Sequence, residues 1–222
     1  MIPMPLGIPM AGPCRWSGSQ RDATLVCAVG TIASLQERRP HVLGIDDAPF
    51  SKRQGEPVPI VAVMMEGCDL VEAVAFSSFP VDGAGATDFL ADWVGGLRLR
   101  SSLQAVVLGG ITIAGLGVVD IPELASRLHT PVLVATRRRP SDAELVGALH
   151  AAGLPERIPL VERAPRAVRV AEGFYLAHAG IGRAAAEAIA RGTLRKARLP
   201  EPLRIAHLIG SALVTGASRG RV

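Results

Sequence analysis

A chain of 222 residues with 49% hydrophobic and 20% charged side chains has the size and apolar content for one sizeable core, which excludes disorder for the bulk of it. Only 4% of residues are aromatic, so the core must be aliphatic and stacking platforms for single-stranded bases are few. The formal charge of +4 and pI near 9.5 permit a nucleic-acid partner without demanding one. Cys14, Cys27 and Cys68 have no C-x-x-C spacing, which argues against a zinc site or a disulfide framework and fits a reducing cytoplasm.

Residues 1–40 are punctuated by proline and glycine and hold no periodic pattern, which reads as a partly disordered N-terminal extension to a domain covering 41–222. Within it, 23–36 has the makings of one short helix or strand. The apolar run 23–35 is shorter than the roughly 20 residues that span a bilayer, and no small-x-small cleavage site follows it. A cytoplasmic protein with no membrane association is expected.

From His41 the pattern sharpens. The stretch 41–46 reads as a strand that delivers two carboxylates, Asp46 and Asp47, before the chain breaks at Ala48-Pro49. Adjacent side chains on a strand point to opposite faces, so only one of the two acids can aim at a given site. Asp46 is the choice, and solvation of a turn is the competing role for both.

Strands follow at 58–65 and 70–76, joined by the turn Glu66-Gly67-Cys68-Asp69, which predicts an antiparallel meander of three. A glycine-rich turn containing Asp82 feeds a helix with Phe89, Leu90, Trp93 and Val94 on one face. A strand at 103–108 ends at Gly109-Gly110, and 111–119 reads as a loop. Asp120-Ile-Pro-Glu then opens a helix to Leu128, with Asp120 as its cap.

The buried strand 130–136 runs into Arg137-Arg138-Arg139-Pro140. Ser141-Asp-Ala-Glu144 is a capping box for a helix to Ala151. A loop rich in proline and arginine, a strand at 174–177, and helices at 181–191 and 202–214 complete the chain, with Gly216 as the last helix stop. The order predicts an α/β, ribonuclease H-like mixed sheet, three antiparallel strands and then two parallel ones, flanked by helices. The first strand becomes central, and its Asp46 end adjoins Gly109.

Four stretches together resemble a known family: His-Val-Leu-Gly-Ile-Asp-Asp-Ala-Pro-Phe (41–50), Val-Asp-Gly-x-x-Ala-Thr (81–87), Gly-Ile-Thr-x-Ala-Gly-x-x-Val-Val-Asp (110–120) and Pro-Glu-Pro-Leu-Arg-x-Ala-His-Leu-Ile (200–209). They resemble domain of unknown function 99, itself similar to endonuclease V, a ribonuclease H-like, metal-dependent enzyme that cuts nucleic acid near inosine. The resemblance implies a candidate magnesium- or manganese-dependent endonuclease acting on DNA or RNA. It makes Asp46 the first metal-binding and catalytic carboxylate, Asp82 the second, and Arg137 or Arg138 the counterpart of a lysine. Arginine differs from lysine in staying charged and in its forked donor geometry. The third acid is expected where the chain reads Leu108-Gly109-Gly110 and is missing, with Asp47 and Asp120 as possible substitutes.

The arginine run 137–139 and the tail residues Arg219 and Arg221 are candidate phosphate contacts. His207 shares a helix face with Arg204 and Ser211 and, amid Leu203, Ala206 and Leu213, reads as a buried structural histidine. Two principal functions stay open: a metal-dependent nuclease with a weakened site, and a catalytically inactive nucleic-acid-binding or scaffold protein on the same fold. A small-molecule enzyme is a third possibility, since fold does not fix function. Gly83-Ala-Gly85 is no G-x-G-x-x-G, and the sequence carries no cofactor fingerprint.

Overall fold

The computed structural model describes residues 39–98 and 100–218, so the expectations for residues 1–38 and for Arg219 and Arg221 lie outside it. β1 (His41–Asp47) is the strand the sheet grows from. Its middle residues are buried on both faces, as befits a strand covered on two sides. β2 (Pro57–Glu66) pairs antiparallel with β1, placing Asp46 opposite Val61, and β3 (Leu70–Pro80) pairs antiparallel with β2 as the edge strand. β3 extends four residues further than its sequence pattern indicates, because its last residues still find partners along β2.

α1 (Ala86–Gly95) leads back to β4 (Ala105–Leu108), which lies parallel to β1 with Leu108 beside Ile45. The stretch expected as a loop contains a small hairpin, β5 (Thr112–Ile113) with β6 (Gly117–Val118), its turn made by Ala114 and Gly115 at positive φ. α2 (Ile121–Leu128) then precedes β7 (Val132–Thr136), parallel to β4. α3 (Asp142–Ala151) starts at its expected Ser141 cap, which accepts from the Glu144 N–H.

The loop rich in proline and arginine contains α4 (Ile158–Arg163) and β8 (Val168–Ala171). β8 pairs antiparallel with β9 (Phe174–Ala179), and β9 pairs antiparallel with β7. Prolines at 159 and 165 hid both elements from a periodicity reading. Proline is compatible with a first helical turn, which is where Pro159 sits. α5 (Arg183–Gly192) and α6 (Glu201–Thr215) close the fold.

The sheet order is β3-β2-β1-β4-β7-β9-β8, a mixed seven-stranded sheet with β1 and β4 near its centre. Alternation sorts the core into two layers. Leu43, Ile45, Ile60, Val106, Leu108 and Val134 face α1 and α2, while Val42, Val107, Leu133 and Leu176 face α5 and α6. Among the described residues no helix is long and apolar enough to cross a membrane.

The close seat of α6 on β1 positions everything that follows. A Cβ on Gly44 would stand 2.3 Å from the Leu203 backbone nitrogen, and one on Gly210 would stand 3.1 Å from the Ala48 Cα. Glycine at both positions lets helix and strand backbones approach as no larger residue allows. α6 therefore lies along β1, with Leu203 over Gly44 and Gly210 over Ala48.

Candidate active site at the Asp46 end of the central strand

Because side chains alternate, Asp46 emerges on the α6 face of β1 and Asp47 on the other. Asp46 meets His207 of α6, whose Nδ1 lies 2.8 Å from Asp46 Oδ2. A carboxylate only accepts, so the proton of this bond sits on Nδ1 and leaves Nε2 as the outward-facing nitrogen. The His207 side chain is 59% exposed, which corrects the reading of a buried structural histidine. Leu203 and Ala206 on the same helix pack into the core, while His207 projects at the open end beside Asp46. Its pKa is raised, first by the hydrogen bond to Asp46 and further by that residue's charge; burial and the nearby Arg137 guanidinium oppose the rise.

Asp46, Gly109, Thr136, Arg137, Arg204 and His207 line one cavity of about 290 Å³. Asp46, Asp47, Gly109, Gly110 and Thr112 line an adjoining one of about 220 Å³. Gly109 thus faces Asp46 as expected: a Cβ there would lie 3.4 Å from Asp46 Oδ1, and its φ is not in the left-handed region. Arg204 also lines the larger cavity, but its charge is matched by the buried Glu201 through bonds of 2.6 to 3.0 Å. Arg137 is exposed and has no ion-pair partner among the described residues, which leaves its fork available to an anion.

Asp47 points to the hairpin side, where its Oδ2 accepts from the Ala114 N–H at 3.1 Å. Burial, and then the neighbouring Asp46 charge, push its pKa up to about 6. Asp82 serves the same hairpin. Its Oδ1 accepts from the Leu116 N–H at 2.7 Å, its backbone N–H donates to the Ala114 carbonyl, and its own carbonyl accepts from Arg157 at 2.9 Å. These bonds hold Asp82 at a φ of 53°, an unusual conformation for a residue with a side chain. Asp82 is not among the residues lining either cavity at Asp46.

Asp120 has the cap role: one oxygen accepts from the Glu123 N–H and the other pairs with Arg163 at 2.6 Å. The arginine run divides, with Arg137 on the Asp46 cavity and Arg139 on a separate one. Sequence reasoning missed His207 and the Glu201–Arg204 pair as parts of the site. The signal was present in Pro-Glu-Pro-Leu-Arg-x-Ala-His, a motif that carried the family resemblance and sets three ionisable residues into a largely apolar helix.

At this end one carboxylate oxygen is free for a hard divalent cation, fewer donors than His41, Glu66 and Glu72 bring within 4.8 Å of one another at the other end of β1. Magnesium is ordinarily held by one or two carboxylates with water and substrate phosphate completing the shell. Asp46 Oδ1 has no hydrogen-bond partner among the described residues and faces the open space above Gly109.

Comparison with known proteins places this geometry in context. The sequence model of a family described as Endonuclease dU matches residues 38–214. A UPF0215 protein of Methanothermobacter thermautotrophicus is 38% identical over 183 residues, covering 81% of this chain and 90% of that protein. One from Methanosarcina mazei is 35% identical over 186 residues, covering 81% and 93%. Among solved structures, a protein of unknown function from Archaeoglobus fulgidus is 32% identical, with a TM-score of 0.73 over 80% of this chain and 99% of that one. Ciona intestinalis endonuclease V, solved with a 24mer DNA containing an inosine followed by a ribo-adenosine, is 13% identical with a TM-score of 0.51, covering 78% of this chain and 84% of that one. The last likeness is one of fold, and the fold is ribonuclease H-like.

Proposed function

The chain belongs to the Endonuclease dU family, and from that premise we propose that it is a metal-dependent endonuclease acting on nucleic acid that contains a deaminated base, deoxyuridine in DNA first among them. The observation that carries this reading is the convergence of Asp46, His207 and Arg137 on one cavity at the end of β1. The family's name supports deoxyuridine as the base. The inosine-containing DNA bound by the Ciona enzyme supports nucleic acid as the partner class.

Each residue has a role its environment suits. Asp46 supplies the charged metal ligand, and its hydrogen bond to His207 orients it. Bound there, a divalent cation supplies Lewis acidity and an activated water for phosphodiester cleavage. Arg137 holds a phosphate oxygen in its fork and draws the backbone into the cavity. His207, its Nδ1 engaged, presents Nε2 to hold or move a proton at the attacking or leaving oxygen. Asp47 is the second acid of the strand end. Asp82 acts by fixing the hairpin that Asp47 leans on.

Gly109 leaves the ligand set one carboxylate short, so the reading is of a slow enzyme or one that depends strongly on manganese or magnesium concentration. A cleavage assay on single- and double-stranded oligonucleotides carrying deoxyuridine, inosine or neither, with magnesium and with manganese, tests it. Cutting should appear beside the deaminated base and vanish in Asp46→Asn. No cutting under any condition, with binding retained, would favour the non-catalytic nucleic-acid-binding protein.

A further inference from the structure

Some of the described arginines are tied to carboxylates, and others, Arg138, Arg169 and Arg195 among them, are exposed without such a partner. Arg127, Arg157, Arg163, Arg183 and Arg204 are tied to carboxylates. Arg137, Arg139 and Arg166 are exposed and have no such partner among the described residues. Arg139 and Arg166 line a cavity of about 390 Å³, together with Ile111, Pro140, Asp142 and Pro165. This cavity is a neighbour of the Asp46 site along both of its walls. One wall steps from Gly109 to Ile111 and the other from Arg137 to Arg139, two residues each, and two residues of extended chain span at most about 7 Å. That is the scale of one nucleotide step along a strand.

The lining has the composition of a nucleotide subsite. Pro140, Pro165 and Ile111 give a stiff apolar surface for a base, since each proline ring fixes its own φ. Two guanidinium forks with no ion-pair partner among the described residues suit a backbone phosphate. Asp142, exposed in the first turn of α3, offers an acceptor to a base N–H. A base drawn into this cleft against Pro140 and Pro165 has left its stack and its pairing partner, so the occupant is an unpaired nucleotide.

We propose that this cleft holds the unpaired nucleotide next to the one at Asp46, with its phosphate on Arg139 and Arg166. This inference rests on the nuclease reading above and adds Arg166 and the path of the strand to it. The phosphate positions the strand, and the apolar walls take the base without reading it by paired hydrogen bonds.

The experiment measures binding, so it does not depend on turnover. Single-stranded oligonucleotides with one deoxyuridine are shortened one nucleotide at a time from either end, and Kd is measured in chelator over a salt series for wild type and for the Arg139→Ala/Arg166→Ala double variant. One shortening step should weaken wild type about tenfold and leave the variant unchanged, the size expected from losing charge-assisted contacts to one phosphate. The salt slope of the full-length complex should fall by about 0.7 for that one phosphate. Both side chains are exposed and without an ion-pair partner among the described residues, so thermal melting should show an intact variant. Parallel losses in wild type and variant at every length would overturn the cleft while leaving the nuclease reading standing. A wild type that binds none of the oligonucleotides, either in chelator or with calcium in place of the catalytic ion, would overturn both.

Discussion

At one end of β1, His41 Nδ1 lies 2.7 Å from Glu72; at the other, His207 Nδ1 lies 2.8 Å from Asp46. The two pairs are chemically alike, and their surroundings separate them. The His41 end abuts the β2–β3 turn, where Glu66 and Glu72 bring donor atoms within 4.8 Å of each other and of His41. Its nearby arginine, Arg39, is matched by Asp69 at 2.7 Å, so no free guanidinium faces this trio among the described residues. The Asp46 end sits where the parallel strands β1, β4 and β7 all finish, so the loops that follow diverge and leave a crevice, as at the carboxyl ends of open α/β sheets generally. Arg137 gives that crevice a guanidinium with no ion-pair partner among the described residues. A histidine–carboxylate pair becomes a candidate active site through the space and charge around it.

The largest expected effect that sharpens this comparison is on stability. Asp47 has an ordinary value of 3.8 and about 6 in the fold, so the folded state binds its proton more tightly and stability falls as pH rises between those two values. The shift corresponds to at most about 3 kcal/mol. In chelator, Asp47→Asn should raise the urea midpoint at pH 7 and flatten the pH dependence of unfolding between pH 4 and 6. An unchanged midpoint would remove Asp47 as an acid held against its own stability.

His207→Ala should lower cleavage or metal affinity about 10- to 100-fold, the range for losing a residue that orients a ligand. The pH behaviour of the pair has a definite sign. Because hydrogen bonding to Asp46 raises the pKa of His207, the pair's contribution is complete below the ordinary 6.5 and fades as pH rises through the folded value. Titrating the ring by NMR in wild type and Asp46→Asn checks this, with the lower pKa expected in the variant.

Gly109→Asp supplies the carboxylate the strand end lacks. The backbone at Gly109 accepts a side chain without left-handed strain, so the variant should fold normally and bind magnesium or manganese on the order of tenfold more tightly, as an added charged oxygen ligand would. Calorimetry measures it, and a folded variant with unchanged affinity would dismiss Gly109 as a ligand position.

The smallest effect belongs to the opposite end. The His41–Glu72 pair is partly exposed, so Glu72→Gln should cost below about 1 kcal/mol and leave nucleic-acid binding and cleavage intact. Loss of activity in that variant would break the contrast between the two ends.

Local chemistry made much of the fold legible. The strand ending in two acids, the Asp120 and Ser141 caps, and the run of strands and helices that specifies a mixed sheet are all written in side-chain periodicity and in proline and aspartate placement. Alternation alone placed Asp46 and Asp47 on opposite faces. The resemblance in four short stretches pointed to Asp46 and marked the gap at Gly109. Periodicity was silent on what each polar group meets, because that depends on partners far away in sequence. Asp82 holds a hairpin 34 residues downstream through Leu116. Arginines 137 and 139, two positions apart, part into two cavities. His207 reaches Asp46 across 161 residues because Gly44 and Gly210 let α6 settle onto β1 at backbone contact, a closeness that only the folded packing of two glycines against a neighbouring backbone could decide.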